Sequence, residues 1–318
     1  MKRLFSVLLV CVTICGIITG CNVAGNQENL PTPYPVRVAS VTVEKAPEKV
    51  VCLSPSLTEL TYGLGYGGRL VGRTTDATYP EAASALPTVG KTGKIDTAAL
   101  LALEPDTVVS HSSLSKKEMT ALEAARVKVV VLPMAKDLEE LKTLYQQLAL
   151  LYAGQLDAEA IAAKYNQKLT DSLKEIKATL PEADFENGFA YIINPSSGIT
   201  ATGDTLESSV LSAVFGANAA AEETGYKIEA ATLAEKNPSV IFTADPYGLP
   251  HLEASKSYQG LNAVKNKKVV TVKGELFATQ SIRMADAVKA AAKTLYPELF
   301  VEEETSSLAE ESSLNSKS

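Results

Sequence analysis

One pattern occurs twice and constrains this chain more than any other: an amphipathic helix stopped by proline directly before a β-branched run. The first copy is Leu100-Leu101-Ala102-Leu103-Glu104-Pro105-Asp106-Thr107-Val108-Val109, and the second is Leu233-Ala234-Glu235-Lys236-Asn237-Pro238-Ser239-Val240-Ile241. A proline ring clashes with a helical conformation in the residue before it, so each helix ends there. An apolar strand without polar alternation belongs in a parallel sheet covered on both faces. The repetition predicts two related α/β lobes.

The remaining pattern agrees. Val50-Val51-Cys52-Leu53 leads into Ser56-Leu57-Thr58-Glu59, which reads as a capping box opening a helix. Leu70-Val71-Gly72, the helical stretch Thr97 to Leu103, Thr107-Val108-Val109, Lys116 to Ala125 and Val127 to Leu132 continue the alternation. Phe189 to Ile193, a helix from Asp204 to Phe215, Val240-Ile241-Phe242, Val269 to Val272 and a helix from Ile282 to Leu295 form the second half. Between the halves, Asp137 to Tyr152 predicts one helix, broken near Gly154, and Asp157 caps a second that runs to Leu180 and stops at Pro181. At 1.5 Å per residue the second spans about 36 Å, enough to cross between lobes, and its stiffness predicts little hinge motion.

Both ends differ from this body. Lys2 and Arg3 precede an apolar run from Leu4 to Thr19, shorter than the roughly 20 residues a bilayer-spanning helix needs, so 1–20 reads as a signal peptide. Ile18-Thr19-Gly20-Cys21 resembles the lipobox of bacterial lipoproteins, which makes Cys21 the lipidation site. Polar, proline-bearing residues place a lipidated tether at 21–37, and the acidic, serine-rich stretch 301–318 reads as a disordered tail. The expected body is then an N-terminal α/β lobe at 38–153, a backbone helix at 154–182 and a C-terminal α/β lobe at 183–300. Cys11 and Cys15 leave with the signal, so the mature chain keeps Cys21 and Cys52; with Cys21 lipidated, no internal disulfide is possible, and Cys52 reads as a small buried hydrophobe. Without Lys2 and Arg3 the mature chain has 28 basic residues against 37 acidic ones, which argues against nucleic acid as a partner.

Catalytic signatures are missing. Gly63, Gly65 and Gly68 match G-x-G-x-x-G, but a helix precedes them where a dinucleotide fingerprint needs a strand, so they read as a helix cap and turn. The sequence holds no G-x-S-x-G elbow, no H-E-x-x-H, no phosphate-binding loop with its lysine and no C-x-x-C, so no enzyme is expected.

In parallel α/β sheets a ligand sits at the carboxyl ends of the strands. Both histidines of the chain fall in such loops: His111 after Thr107 to Ser110, and His251 after Val240 to Ala244. Their imidazoles are candidates to approach one cleft from opposite walls, as hydrogen-bonding groups or as axial ligands of a metal chelate, and ordinary solvated loop positions are the alternative. Tyr79, Tyr226, Tyr247 and Phe277 are candidate stacking rings in the same loops, whereas Tyr191 and Phe242 lie inside strands and read as core.

Val50 to Glu59, Arg69 to Thr74 with Tyr79-Pro80, Leu100 to Val109, Asn237 to Phe242, Lys268-Val269-Val270 and the closing helix before Pro297 together resemble the cobalamin-binding and iron-siderophore-binding proteins of ABC importers, the class with a helical backbone between lobes. The resemblance runs from Val38 to Pro297. It implies an α/β fold of two Rossmann-like lobes, each with a central mostly parallel sheet, joined by a long rigid helix. It implies an extracytoplasmic, lipid-anchored, monomeric substrate-binding lipoprotein without an intrinsic cofactor. Its ligand is then a metal chelate, a cobalt corrinoid such as cobalamin or else an iron siderophore or haem, delivered to permease and ATPase subunits on other chains. Tyr79-Pro80 resembles the cobalamin branch; the chain has no tryptophan, and Thr92 and His111 stand where that branch often places indoles. Family members usually present one docking glutamate per lobe to the permease. Ala98 and Ala231 occupy those positions, which leaves Asp96 and Glu229, two residues earlier in each lobe, as displaced candidates. Scavenging or sensing without an importer is the other binding role these features allow.

Overall fold

The computed structural model describes residues 32–181 and 185–300. The stretches expected to form a signal peptide, a lipidation site at Cys21, a tether up to residue 31 and an acidic tail lie outside the described residues.

The N-terminal lobe opens with a hairpin, β1 (Val36–Val38) and β2 (Val41–Val43), followed by β3 (Val50–Cys52), α1 (Pro55–Gly63), β4 (Leu70–Arg73) and α2 (Glu81–Ser84). A small hairpin, β5 (Gly90–Lys91) with β6 (Lys94–Ile95), leads to α3 (Thr97–Ala102), β7 (Thr107–Ser110), α4 (Lys116–Ala124) and β8 (Lys128–Val131). The four longer strands pair in parallel in the order β4-β3-β7-β8. Residues 32–37, expected at the end of the tether, pack on the body instead: Val36 is buried in β1, and the Tyr34 hydroxyl donates to the Leu151 carbonyl at 2.9 Å.

Two helices follow, α5 (Leu138–Ala153) and α6 (Ala158–Thr179). The break between them is Gly154, at φ 71° and ψ −178°, a conformation essentially reserved for glycine, and a Cβ there would lie 2.3 Å from the Pro33 carbonyl oxygen. Helix α6 buries Ala162, Tyr165, Leu169, Leu173 and Ile176, one stripe at helical spacing, against α5, α7 (Leu206–Phe215) and α11 (Met284–Leu295). It therefore packs on helices from both halves of the molecule.

The C-terminal lobe contains β9 (Phe189–Asn194), β10 (Ile199–Thr200), α7, α8 (Ala230–Lys236), β11 (Val240–Ala244), α9 (Leu249–Glu253), α10 (Asn262–Lys265), β12 (Val269–Val272) and α11. Its sheet order is β10-β9-β11-β12, parallel except for the edge strand β10. Numbered within each lobe, both sheets have the order 2-1-3-4, so the sequence echo extends to topology. It extends to the backbone as well. The residue before each echoed proline, Glu104 and Asn237, takes a left-handed conformation, with φ of 48° and 45°.

Helix α1 starts earlier than its sequence suggests. Ser54 is the cap, accepting from the Leu57 amide at 3.2 Å, and Pro55 takes the first helical turn, where its missing N–H costs nothing. Ser56 and Glu59 are thereby released for other contacts. The capping box that does form is Ser115 with Glu118, at the start of α4.

Candidate functional site

In a 2-1-3-4 sheet, strands 1 and 3 run side by side while their crossovers leave on opposite sides, which opens a crevice at their carboxyl ends. In the N-terminal lobe those strands are β3 and β7, and a cavity of about 1100 Å³ opens there. Its floor comes from Leu53 to Ser56 after β3, and its walls from Asp76, Thr78 and Tyr79 after β4 and from Ser110, the last residue of β7, through Ser115. Glu275, Leu276, Ala278, Thr279 and Arg283, following β12, close it from the C-terminal lobe.

His111 crosses the crevice. Its Nδ1 lies 2.7 Å from the Leu132 carbonyl, which only accepts, so Nδ1 carries the proton and Nε2 accepts from the Ser56 hydroxyl on α1. Burial holds the His111 pKa below the ordinary 6.5, against the opposing effect of the Leu132 carbonyl. The sign of the linkage follows. The unfolded chain binds the proton more readily, so the stability associated with neutral His111 is complete above about pH 6.5 and is lost as pH falls through the lower folded-state value. Unfolding by urea at pH 7 and pH 5 should therefore show a smaller acid-induced loss of stability in His111→Asn than in the native chain; equal losses would remove this account.

Tyr79 is 48% exposed and presents its ring to the cavity, but one face is covered by the Arg283 guanidinium, 3.9 Å from the ring centroid. Arg283 also donates to Glu59 at 3.0 Å, and Glu59 accepts from the Ser281 hydroxyl. Glu59 on α1 thus holds the lobes together across the cavity floor. Burial raises its pKa, while Ser281 and Arg283 oppose the rise. Asp76 behaves the other way: burial lifts its carboxyl, but hydrogen bonds from Thr74 and Thr92 prevail and hold it below the usual range. Met134, 46% exposed, adds an apolar patch to the lining.

The loop bearing Tyr79 is organised by Arg73. This buried side chain donates from Nε to the Ala83 carbonyl at 2.7 Å, from Nη1 to Thr74 and Thr75, and from Nη2 to Ser84 at 2.9 Å.

Of the sequence candidates, Tyr79, Thr92 and His111 line the cavity together, while Tyr226, Tyr247, His251 and Phe277 do not. Phe277 is 2% exposed and packs on Tyr191, because the short helix Gly274–Thr279 turns its ring into the core. His251 accepts from the Gly248 amide through Nδ1 at 3.2 Å, at the start of α9, and its ring meets Tyr247 edge-on. Tyr226 sits on the surface of the C-terminal lobe with its hydroxyl 3.4 Å from Glu207. Neither histidine belongs to a cluster of three or more metal-ligating side chains among the described residues. Asp96 caps α3, accepting from the Ala98 and Ala99 amides at 3.0 Å, and Glu229 occupies the equivalent position before α8; both are exposed. Cys52 is buried, with its thiol pushed up to about 12 by burial, and takes no part.

Sequence reasoning missed Glu59, Ser281, Arg283, Arg73 and the serines beside His111. The run Ser110-His111-Ser112-Ser113-Leu114-Ser115, directly after a buried strand, was the available signal for the last group.

A model of the periplasmic binding protein family matches residues 50–276. The chain is 28% identical over 301 residues to an uncharacterised ABC transporter substrate-binding lipoprotein, YvrC, of Bacillus subtilis, covering 90% of this chain and 95% of that one. Its fold is shared with a possible iron-binding, periplasmic solute-binding protein of Staphylococcus epidermidis, at a TM-score of 0.68 and 21% identity over 79% of this chain and all of that one. It is also shared with the periplasmic vitamin B12 binding protein of Vibrio cholerae, at a TM-score of 0.60 and 24% identity over 78% of this chain and 96% of that one.

Proposed function

The chain belongs to the periplasmic binding protein family, and on that premise we propose that it is the extracytoplasmic receptor of an ABC importer, capturing a metal chelate in the β3–β7 cavity and delivering it to a permease. The observation that carries this reading is the cavity itself. Its volume of about 1100 Å³ suits a large small molecule, it lies at a topological switch point, and segments from both lobes contribute walls. The role is capture and hand-over, without a chemical step.

A cobalt corrinoid is the leading ligand, and an iron siderophore or haem is the alternative. Neutral His111 offers Nε2 as an axial donor once the Ser56 hydroxyl turns away, and Tyr79 offers one free ring face. His251 is the weaker candidate because its Nδ1 is engaged at the start of α9. The full-length chain in detergent, titrated with cyanocobalamin, haemin and ferric hydroxamates, is expected to bind at least one saturably. A shift of the chelate's visible band that is lost in His111→Asn would identify the axial contact, whereas binding of none would sink the reading.

Membrane attachment through a lipid on Cys21 is part of the proposal, and Cys21→Ser should release the chain from the membrane fraction. Asp96 and Glu229 are proposed as docking anions because they stand at equivalent helix starts in the two lobes. Asp96→Asn keeps the cap, so Asp96→Asn with Glu229→Gln should lower uptake without unfolding the chain. Unchanged uptake would show that Asp96 and Glu229 are not the docking anions, whereas no chelate uptake dependent on the native chain would return the protein to scavenging or sensing without an importer.

A further inference from the structure

The cavity is unbalanced in charge. Among its lining residues are four carboxylates, Glu59, Asp76, Glu118 and Glu275, against one cationic side chain, Arg283. That cation is already committed, to Glu59 at 3.0 Å and to the face of Tyr79. Asp76 and Glu118 are each fixed by hydrogen bonds that only the ionised form accepts fully: Thr92 to Asp76 at 3.1 Å, and the Ser115 amide to Glu118 at 2.7 Å. Burial disfavours the charged form of His111, so its imidazole adds no compensating cation. The rest of the polar lining is hydroxyl, from threonines and the serines after β3 and β7.

We propose that this cavity selects neutral or cationic metal chelates presenting amide, hydroxamate or hydroxyl groups, and rejects polyanionic ones such as ferric tris-catecholates and haem with its two propionates. The inference rests on the chelate-receptor reading and narrows it. An anionic chelate would enter a partly enclosed space against several fixed negative charges, where screening by salt is weaker than at an open surface. It would find one cation, whose release would leave the buried Glu59 without its ion-pair partner. A neutral chelate has no such conflict, and its amide or hydroxamate edges pair with hydroxyls that both donate and accept. Haem meets a second obstacle, since Tyr79, the ring that lines the cavity, has one face occupied by Arg283.

The test titrates the full-length chain at low ionic strength with four probes: cyanocobalamin, the cationic ferrioxamine B, trianionic ferric enterobactin and haemin. Saturable binding of cyanocobalamin or ferrioxamine B, with the two anionic probes at least about tenfold weaker, is the expected result. In the double variant Asp76→Asn with Glu275→Gln the handicap of ferric enterobactin should shrink by about tenfold. A folded variant is verified by an unchanged circular dichroism spectrum, and Glu275→Gln alone, at an exposed position, serves as the second variant should Asp76→Asn disturb its loop. Ferric enterobactin or haemin binding as tightly as the better of cyanocobalamin and ferrioxamine B overturns the charge inference and leaves the receptor reading intact. No binding by any of the four overturns the receptor reading, and the charge inference falls with it.

Discussion

Replacing Gln280 with alanine is expected to cost about 2–5 kcal/mol of stability, the largest effect of a single side chain outside the apolar core. Gln280 is fully buried, and its amide meets both polar atoms of one backbone residue: the oxygen accepts from the Ala135 N–H at 3.1 Å, and the nitrogen donates to the Ala135 carbonyl at 2.9 Å. Its own carbonyl accepts from the Tyr145 hydroxyl at 2.8 Å. One side chain therefore ties the segment after β8 to the segment after β12, across 145 positions of sequence. Truncation orphans a buried N–H and a buried C=O, each costing about 1–3 kcal/mol when left unpaired. Backbone strain is not part of the change, because alanine at this left-handed position, φ 51°, is strained to a similar degree. Urea unfolding measures the loss, and hydrogen exchange at the Ala135 amide localises it. A loss below about 1 kcal/mol, with Ala135 still protected, would mean that water or a neighbour replaces both bonds.

The same residue shows which features of this molecule can be read from a sequence. The two lobes were legible because their signal is local: proline after an amphipathic helix and before a β-branched run, twice, and both copies reappear with the same left-handed conformation before the proline. His111 was legible for a related reason, since the loop after a buried parallel strand is where such sheets open. Contacts between the lobes were not legible. Glu59 reaches Ser281 and Arg283 across 222 and 224 positions, and nothing in the local pattern around Glu59 distinguishes a clasp from the end of a capping box. The reading of Ser56 and Glu59 as that box failed because Ser54-Pro55 offers a competing start, with proline preorganised for the first turn. Phe277 and His251 show the limit of assigning loop residues to a cleft. A loop aims some side chains inward by short helical turns, and periodicity over so few residues does not reveal which.

Arg73 carries the second large prediction, because it joins stability to binding. A guanidinium 7% exposed and surrounded by carbonyls at Ala83, Thr74, Thr75 and Ser84 is a charge neutralised by dipoles, which act together only while the loop between them keeps its shape. That loop places Asp76, Thr78 and Tyr79 on the cavity wall. Arg73→Met fills similar space, removes the charge and orphans the carbonyls, of which those at exposed Thr75 and Ser84 can turn to water. The expected cost is about 2–4 kcal/mol. Arg73→Lys separates charge from geometry: a lysine ammonium keeps the charge but has no planar fork to serve carbonyls on both sides of the loop, so most of the loss should remain. If the wall is what Arg73 builds, both variants should weaken the chelate that binds by at least about tenfold, roughly 1.4 kcal/mol, even at temperatures where they stay folded. A stable Arg73→Met chain with native affinity would show that the Tyr79 loop holds its shape without the guanidinium, and that the cavity wall is set by β4 and α2 alone.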